Sequence, residues 1–182
     1  LWDVFPTHKK IGGAPLNVAL RLQSLENKVA IITKIGEDSE GKEIKDFIEK
    51  RGVQTENIQI DTELKTGEVA VILDSKGAAS YTINFPRAWD EIQLTENSKE
   101  ITKKSDAFIF GSLVARNEVS RNTLNQLLKL AKYKIFDVNL RAPHYTLEVL
   151  NDLMNEANFI KFNDDEIFEI AKALGSKTKS LE

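Results

Sequence analysis

The sequence predicts an α/β fold in which a mainly parallel sheet is flanked by helices. Three observations lead there. Short β-rich runs alternate with helical patterns of ten or more residues over most of the chain, the order that builds βαβ units and covers both faces of a sheet. The composition, 41% hydrophobic and 29% charged over 182 residues, is that of an ordinary globular protein with one sizeable core. A single hairpin pattern interrupts the alternation, an insertion that can serve as an edge, a lid or a dimerisation element.

The elements follow in chain order. "LWDVF" at 1–5 reads as the middle or end of a strand, which predicts further chain upstream. Residues 14–25 form a helix, with Pro15 near its first position and Val18, Leu22 and Leu25 at helical spacing. Residues 29–35 are a strand, and after a turn at Gly36 a helix runs over 39–51 with Ile44, Phe47 and Ile48 as its apolar stripe and Gly52 as its cap. Residues 69–73 and 79–83 flank "DSKG", in which "SKG" supplies the turn chemistry of a hairpin. After Pro86 come a strand at 107–110, a helix at 118–132, a strand at 134–138, a helix at 146–157, a strand at 158–162 and a helix at 164–174. There is no internal repeat and no low-complexity tract.

Charge and composition narrow the function classes. A net charge of −3, from 25 basic and 28 acidic residues without a basic stripe, offers nothing to nucleic acid or to an acidic membrane. The absence of cysteine rules out disulfides and thiolate metal sites and fits a reducing cytoplasm. The longest uncharged apolar stretch, 107–115, falls far short of the ~18 residues a membrane span needs. No signal-peptide pattern is present.

In open parallel sheets, ligands bind outside the carboxyl ends of the strands. Three successive predicted strands end in polar clusters: Gly111, Ser112 and Arg116; Asp137, Asn139 and Arg141; and Lys161, Asn163, Asp164 and Glu166. Asn163 with Glu166 three residues on also has the form of a helix cap with a reciprocating acid. The two roles are compatible, since a capped helix start is an anion site and a carboxylate there can hold Mg²⁺ through water. "GEDSEGKE" at 36–43 has the G-x-x-x-x-G-K frame of a P-loop, but Glu43 stands where Ser or Thr is needed and Glu37, Asp38 and Glu40 would repel phosphate. No G-x-G-x-x-G follows a strand, which argues against a dinucleotide-binding dehydrogenase. His8 and His144 are expected to face solvent, and Trp2 and Trp89 to pack. The glycine pair in "KKIGGAPLNVALRL" at 9–22 suggests backbone held close to a ligand, phosphate being the first thought, or else a tight turn with none.

Order and spacing over nearly the whole chain resemble the ribokinase-like (PfkB-type) carbohydrate kinase family. "GGAPLNVA" at 12–19 is similar to the family's G-G-x-x-x-N-x-A, and "LWDVFP" resembles the segment with its sugar-binding aspartate. "FDVNLR" resembles its D-x-N-x-R strand end and "KFNDDE" its K-x-N-x-x-E element. "LWDVFP", "FPRAWD" and "FGSLVAR" together look most like the fructokinase branch. The resemblance implies a ribokinase-like sheet with a small β lid over the sugar, formed by segments around 1–11 and 66–86, with residues 1–182 as the N-terminal portion of one domain, truncated at both ends.

Carried over residue by residue, Asp3, Gly12, Gly13 and Asn17 would bind sugar hydroxyls. A carboxylate accepts two hydroxyl hydrogen bonds, an asparagine amide both donates and accepts, and glycines let a substrate reach the backbone. Arg116 and Arg141 would contact sugar or phosphate, or equally well form structural ion pairs. Lys161, Asn163 and Glu166 would serve the ATP phosphates, with Glu166 holding Mg²⁺ through water. The implied activity is ATP- and Mg²⁺-dependent phosphorylation of a sugar hydroxyl, fructose foremost, in the cytoplasm, with a homodimer through the lid. The family's D-T-x-G-A-G-D element, which carries the catalytic aspartate, does not occur here, so no catalytic residue is assigned and the base is expected downstream. The alternative is a non-catalytic sugar-binding or assembly module.

Overall fold

The computed structural model describes residues 1–73 and 79–175, and the chain divides into two units, Leu1–Ser98 and Lys99–Glu182, each with its own core. In the first unit β1 (Trp2–Val4) and β2 (Lys9–Ile11) run antiparallel, with Asp3 opposite Lys10. Helix α1 (Ala14–Ser24) follows at once, with Pro15 in its first turn. It buries Leu16 and Ala19. The expected stripe on Val18, Leu22 and Leu25 is rotated from this, and Leu25 is 57% exposed. The helix ends early because the Asn27 side-chain amide donates to the carbonyls of Leu22 and Leu25 at 3.1 and 3.2 Å, which closes its last turn.

Strand β3 (Thr33–Gly36) pairs in parallel with β4 (Ile58–Asp61) across α2 (Ser39–Glu49). The expected strand at 29–35 starts late. Opposite its first residues the chain is turning into β4, and pairing shrinks to one bridge between Ala30 and Gln54. No strand is expected at β4, where Ile58 and Ile60 alternate with polar residues over only four positions. Helix α2 buries Ile44 and Ile48, with Phe47 packed against the same core, as its stripe requires, and Gly52 follows it with φ 77°.

Strands β5 (Glu68–Leu73) and β6 (Ala79–Ile83) form the expected antiparallel hairpin; its "DSKG" turn lies outside the described residues. β5 also pairs in parallel with β1, Val69 standing opposite Asp3. The result is a four-stranded sheet in the order β2-β1-β5-β6, with the unexpected short strand β2 at one edge. Trp2 is 4% exposed and anchors a core with Leu16, Ile35, Ile44, Ile48 and Ile58.

Helix α3 (Glu96–Lys104) contains the division between the units. "ENSKEITKK" has no apolar stripe, so no helix is expected there. Its buried face is made of small hydroxyl residues, Ser98 and Thr102, and Thr95 and Ser98 cap it by exchanging hydrogen bonds at 3.0 Å.

In the second unit β7 (Phe108–Gly111), β8 (Lys134–Asp137) and β9 (Phe159–Lys161) are all parallel, in that order. Helices α4 (Glu118–Leu128), α5 (Leu147–Glu156) and α6 (Asp164–Ala173) follow the three strands, capped by the side chains of Asn117, Thr146 and Asn163. Every strand and helix expected here is present, with ends moved by a few residues. Phe110 and Phe136 stack at 5.1 Å in a core with Leu124, Leu128, Leu150 and Leu153. Gly111 stands opposite Asp137 and Asp137 opposite Lys161. The three strands therefore end at one level, and their polar clusters share an edge.

Candidate functional site: a carboxylate over a glycine turn and a capped helix start

Asp3 lies on β1 between two paired strands, half-buried. Among the described residues its carboxylate takes no hydrogen bond and no ion pair, although Gly12 lies against it. A Cβ at Gly12 would stand 2.9 Å from Asp3 Cγ and overlap a carboxylate oxygen, so any side chain there displaces Asp3. Gly13 has φ 106°, and from it the chain turns directly into α1. That backbone suits glycine and strains other residues. Asn17 stands in the first turns of α1, its amide donating to the Gly13 carbonyl at 3.0 Å. Its side chain is exposed and makes no hydrogen bond among the described residues. The structure thus gathers a carboxylate and a glycine pair at one turn, with the uncommitted Asn17 amide on the helix that follows.

The second unit carries the other group. Glu166 is 4% exposed at the start of α6. One of its oxygens accepts the amide of Asn163 at 3.0 Å while Asn163 Oδ1 accepts the amide of Glu166 at 2.8 Å, the reciprocal cap the spacing implies. Its other oxygen accepts the amide of Leu140 at 3.0 Å, which ties the loop after β8 to α6. Lys161 pairs with Asp137 at 3.0 Å across the strand ends. Asp137, to which the motif comparison gave no role, is thus the partner of Lys161 at the strand ends.

Arg116 ends a short 3₁₀ turn, Leu113–Arg116, after β7 and is half-buried. Arg141 is exposed, and its guanidinium donates to the Leu140 carbonyl at 2.6 Å. His8 is exposed and stacks on Phe5 at 4.6 Å. His144 is half-buried, its amide closing a turn onto the Arg141 carbonyl at 2.8 Å. Trp89 packs on Gly67, where a Cβ would come within 2.6 Å of the indole.

The donor set around Glu166 fits Mg²⁺ only at one remove. Each carboxylate oxygen already accepts one backbone amide and keeps a lone pair for a metal-bound water. Among the described residues no group of three or more His, Cys, Asp or Glu side chains could ligate a metal directly. No described helix is long and apolar enough to cross a membrane.

Residues 3–182 match the model of the pfkB family of carbohydrate kinases. A probable fructokinase-5 of Arabidopsis thaliana is 31% identical over 169 residues, covering 87% of this chain and 52% of that protein. A fructokinase of Vibrio alginolyticus is 30% identical over 165 residues, covering 86% and 53%. The crystal structure of an uncharacterised sugar kinase from Pyrococcus horikoshii in complex with ATP superposes with a TM-score of 0.86 at 26% identity, covering 99% of this chain and 66% of that one. The chain spans about half the length of the curated relatives it matches. It belongs to the pfkB carbohydrate kinase family.

Proposed function

We infer that this chain forms part of an ATP-dependent sugar kinase of the cytoplasm, with fructose the first substrate to test. The observation that carries the sugar site is the Asp3 carboxylate, left among the described residues without a hydrogen-bond partner, against Gly12, where a side chain would displace it. A partly buried carboxylate in that state is ready to accept two sugar hydroxyls, and Asn17 can donate and accept beside them. Gly13 keeps the turn open to the substrate. Identity to proteins named fructokinase supports fructose as the sugar.

The ATP phosphates are assigned to the start of α6. There the helix dipole favours anions and Lys161 adds a cation that Asp137 orients, while the first-turn carboxylates Asp164, Asp165 and Glu166 repel bare phosphate and leave it to be bound together with Mg²⁺. When bound, Mg²⁺ offsets the charge that develops on the phosphates, and Glu166 would hold it through water. Arg116 and Arg141 remain candidates for sugar or phosphate. Phosphoryl transfer depends mainly on positioning and electrostatics, and these residues are assigned to the binding of its two reactants. The base that takes the proton from the attacking hydroxyl is assigned to no residue of this chain, and we place it in the rest of the protein. Residues 1–182 are taken as one ribokinase-like domain portion, with lid segments around 1–11 and 66–86.

The test is to express the complete coding sequence that carries this chain and assay ATP-dependent phosphorylation of fructose and a panel of other sugars. Turnover of fructose is expected. Turnover of none of the sugars would overturn the kinase assignment, and sugar binding without turnover would favour a non-catalytic binding module.

A further inference from the structure

The P-loop-like frame at 36–42 has no part in the phosphate chemistry proposed above, and its contacts show what it holds instead. Asp38 caps α2, its Oδ1 accepting the Gly41 amide at 2.7 Å. The same carboxylate accepts both the amide and the hydroxyl of Thr66, at 2.8 and 2.6 Å. The Thr66 hydroxyl in turn accepts the Gly36 amide at 2.9 Å. Thr66 is 2% exposed. The helix start where a P-loop would seat a phosphate is filled by the protein's own anion. Burial alone would raise the Asp38 pKa, but the Thr66 and Gly41 donors outweigh it and hold the carboxyl below its ordinary value of 3.8.

Thr66 leads straight into β5. The next residue, Gly67, accepts the Trp2 amide at 2.8 Å. Glu68 and Val69 then stand opposite Trp2 and Asp3 in parallel register. On the other side of the same segment Asp61 accepts the amides of Glu63 and Leu64 at 2.9 and 2.7 Å. The stretch from 61 to 67 is therefore pinned at both ends, and the strand that bears Asp3 is hung from its far end.

We propose that Asp38 and Thr66 are positioning residues for the Asp3 carboxylate: their hydrogen bonds fix the entry to β5, and β5 fixes the strand that presents Asp3 to the sugar. Neither side chain touches the sugar. This rests on the sugar-site assignment of Asp3.

The test compares Thr66→Val, which removes the hydroxyl at nearly constant shape, with Thr66→Ser, which keeps it, and with Asp38→Asn, all in the full-length protein. Fructose affinity is read by calorimetry, the KM for ATP by steady-state kinetics, and exposure of the Trp2 amide by hydrogen exchange. Thr66→Val and Asp38→Asn are expected to weaken fructose binding about tenfold and to speed Trp2 exchange, with the KM for ATP unchanged. Thr66→Ser is expected to stay within about twofold of wild type, because its hydroxyl makes the same bonds. Wild-type fructose affinity in Thr66→Val, an equal loss in Thr66→Ser, or a rise in the KM for ATP as large as the loss of fructose affinity would overturn the proposal. Where Thr66→Val fails to fold, Asp38→Asn serves alone, since it keeps an oxygen for Gly41 but loses an acceptor for Thr66. Failure of the sugar-site assignment is told apart by Asp3→Ala, which would then bind fructose as tightly as wild type.

Discussion

Gly12 and Asp3 show how much a single residue can decide. A methyl group at Gly12 would overlap the Asp3 carboxylate, so Gly12→Ala is expected to weaken sugar binding by about tenfold or more while leaving the circular dichroism spectrum unchanged. Calorimetry on the variant checks this. Glu166 decides differently. Glu166→Ala would strand the buried Leu140 amide and leave the more exposed Asn163 amide to water, at a cost of about 1–3 kcal/mol read by urea unfolding. A loss below about 0.5 kcal/mol would show that water replaces the carboxylate freely. The cap between Asn163 and Glu166 is legible in the sequence because it spans one helical turn. The bond from Leu140 to Glu166 is not, because it joins positions 26 apart that only the fold brings together.

At the scale of elements, legibility follows the strength of the apolar pattern. Helix α2 and the strand and helix alternation of the second unit declare themselves through stripes such as Ile44, Phe47 and Ile48. Helix α3 does not, since it buries serine and threonine in place of aliphatic residues. Strand β4 is too short to show alternation, yet it ends on a carboxylate held by three groups. Asp61 pairs with Lys34 at 2.5 Å and takes the amides of Glu63 and Leu64. Burial pulls its pKa up, but the Leu64 amide, Lys34 and the Glu63 amide together bring it from 3.8 down to about 2. A depressed folded pKa means stability that is fully present above the unfolded value and lost as the pH falls towards the folded one. Thermal unfolding of wild type should therefore drop more steeply than that of Asp61→Asn as the pH falls from 3.8 to about 2. Parallel curves would contradict the role given to Asp61.

At the scale of the whole molecule, the fold class and the family were readable because motif order is preserved along the chain, and residues 3–182 match the family model accordingly. The four-stranded sheet was only partly readable, since the parallel pairing of β1 with β5 joins segments far apart in sequence. The central claim is that Asp3 receives the sugar. Its most direct test is calorimetric titration of fructose, or of whichever sugar is turned over fastest, into full-length wild type and Asp3→Ala without ATP. The loss expected is roughly 1–3 kcal/mol, about 5- to 150-fold in affinity. Identical affinities would remove Asp3 from the site and contradict the account.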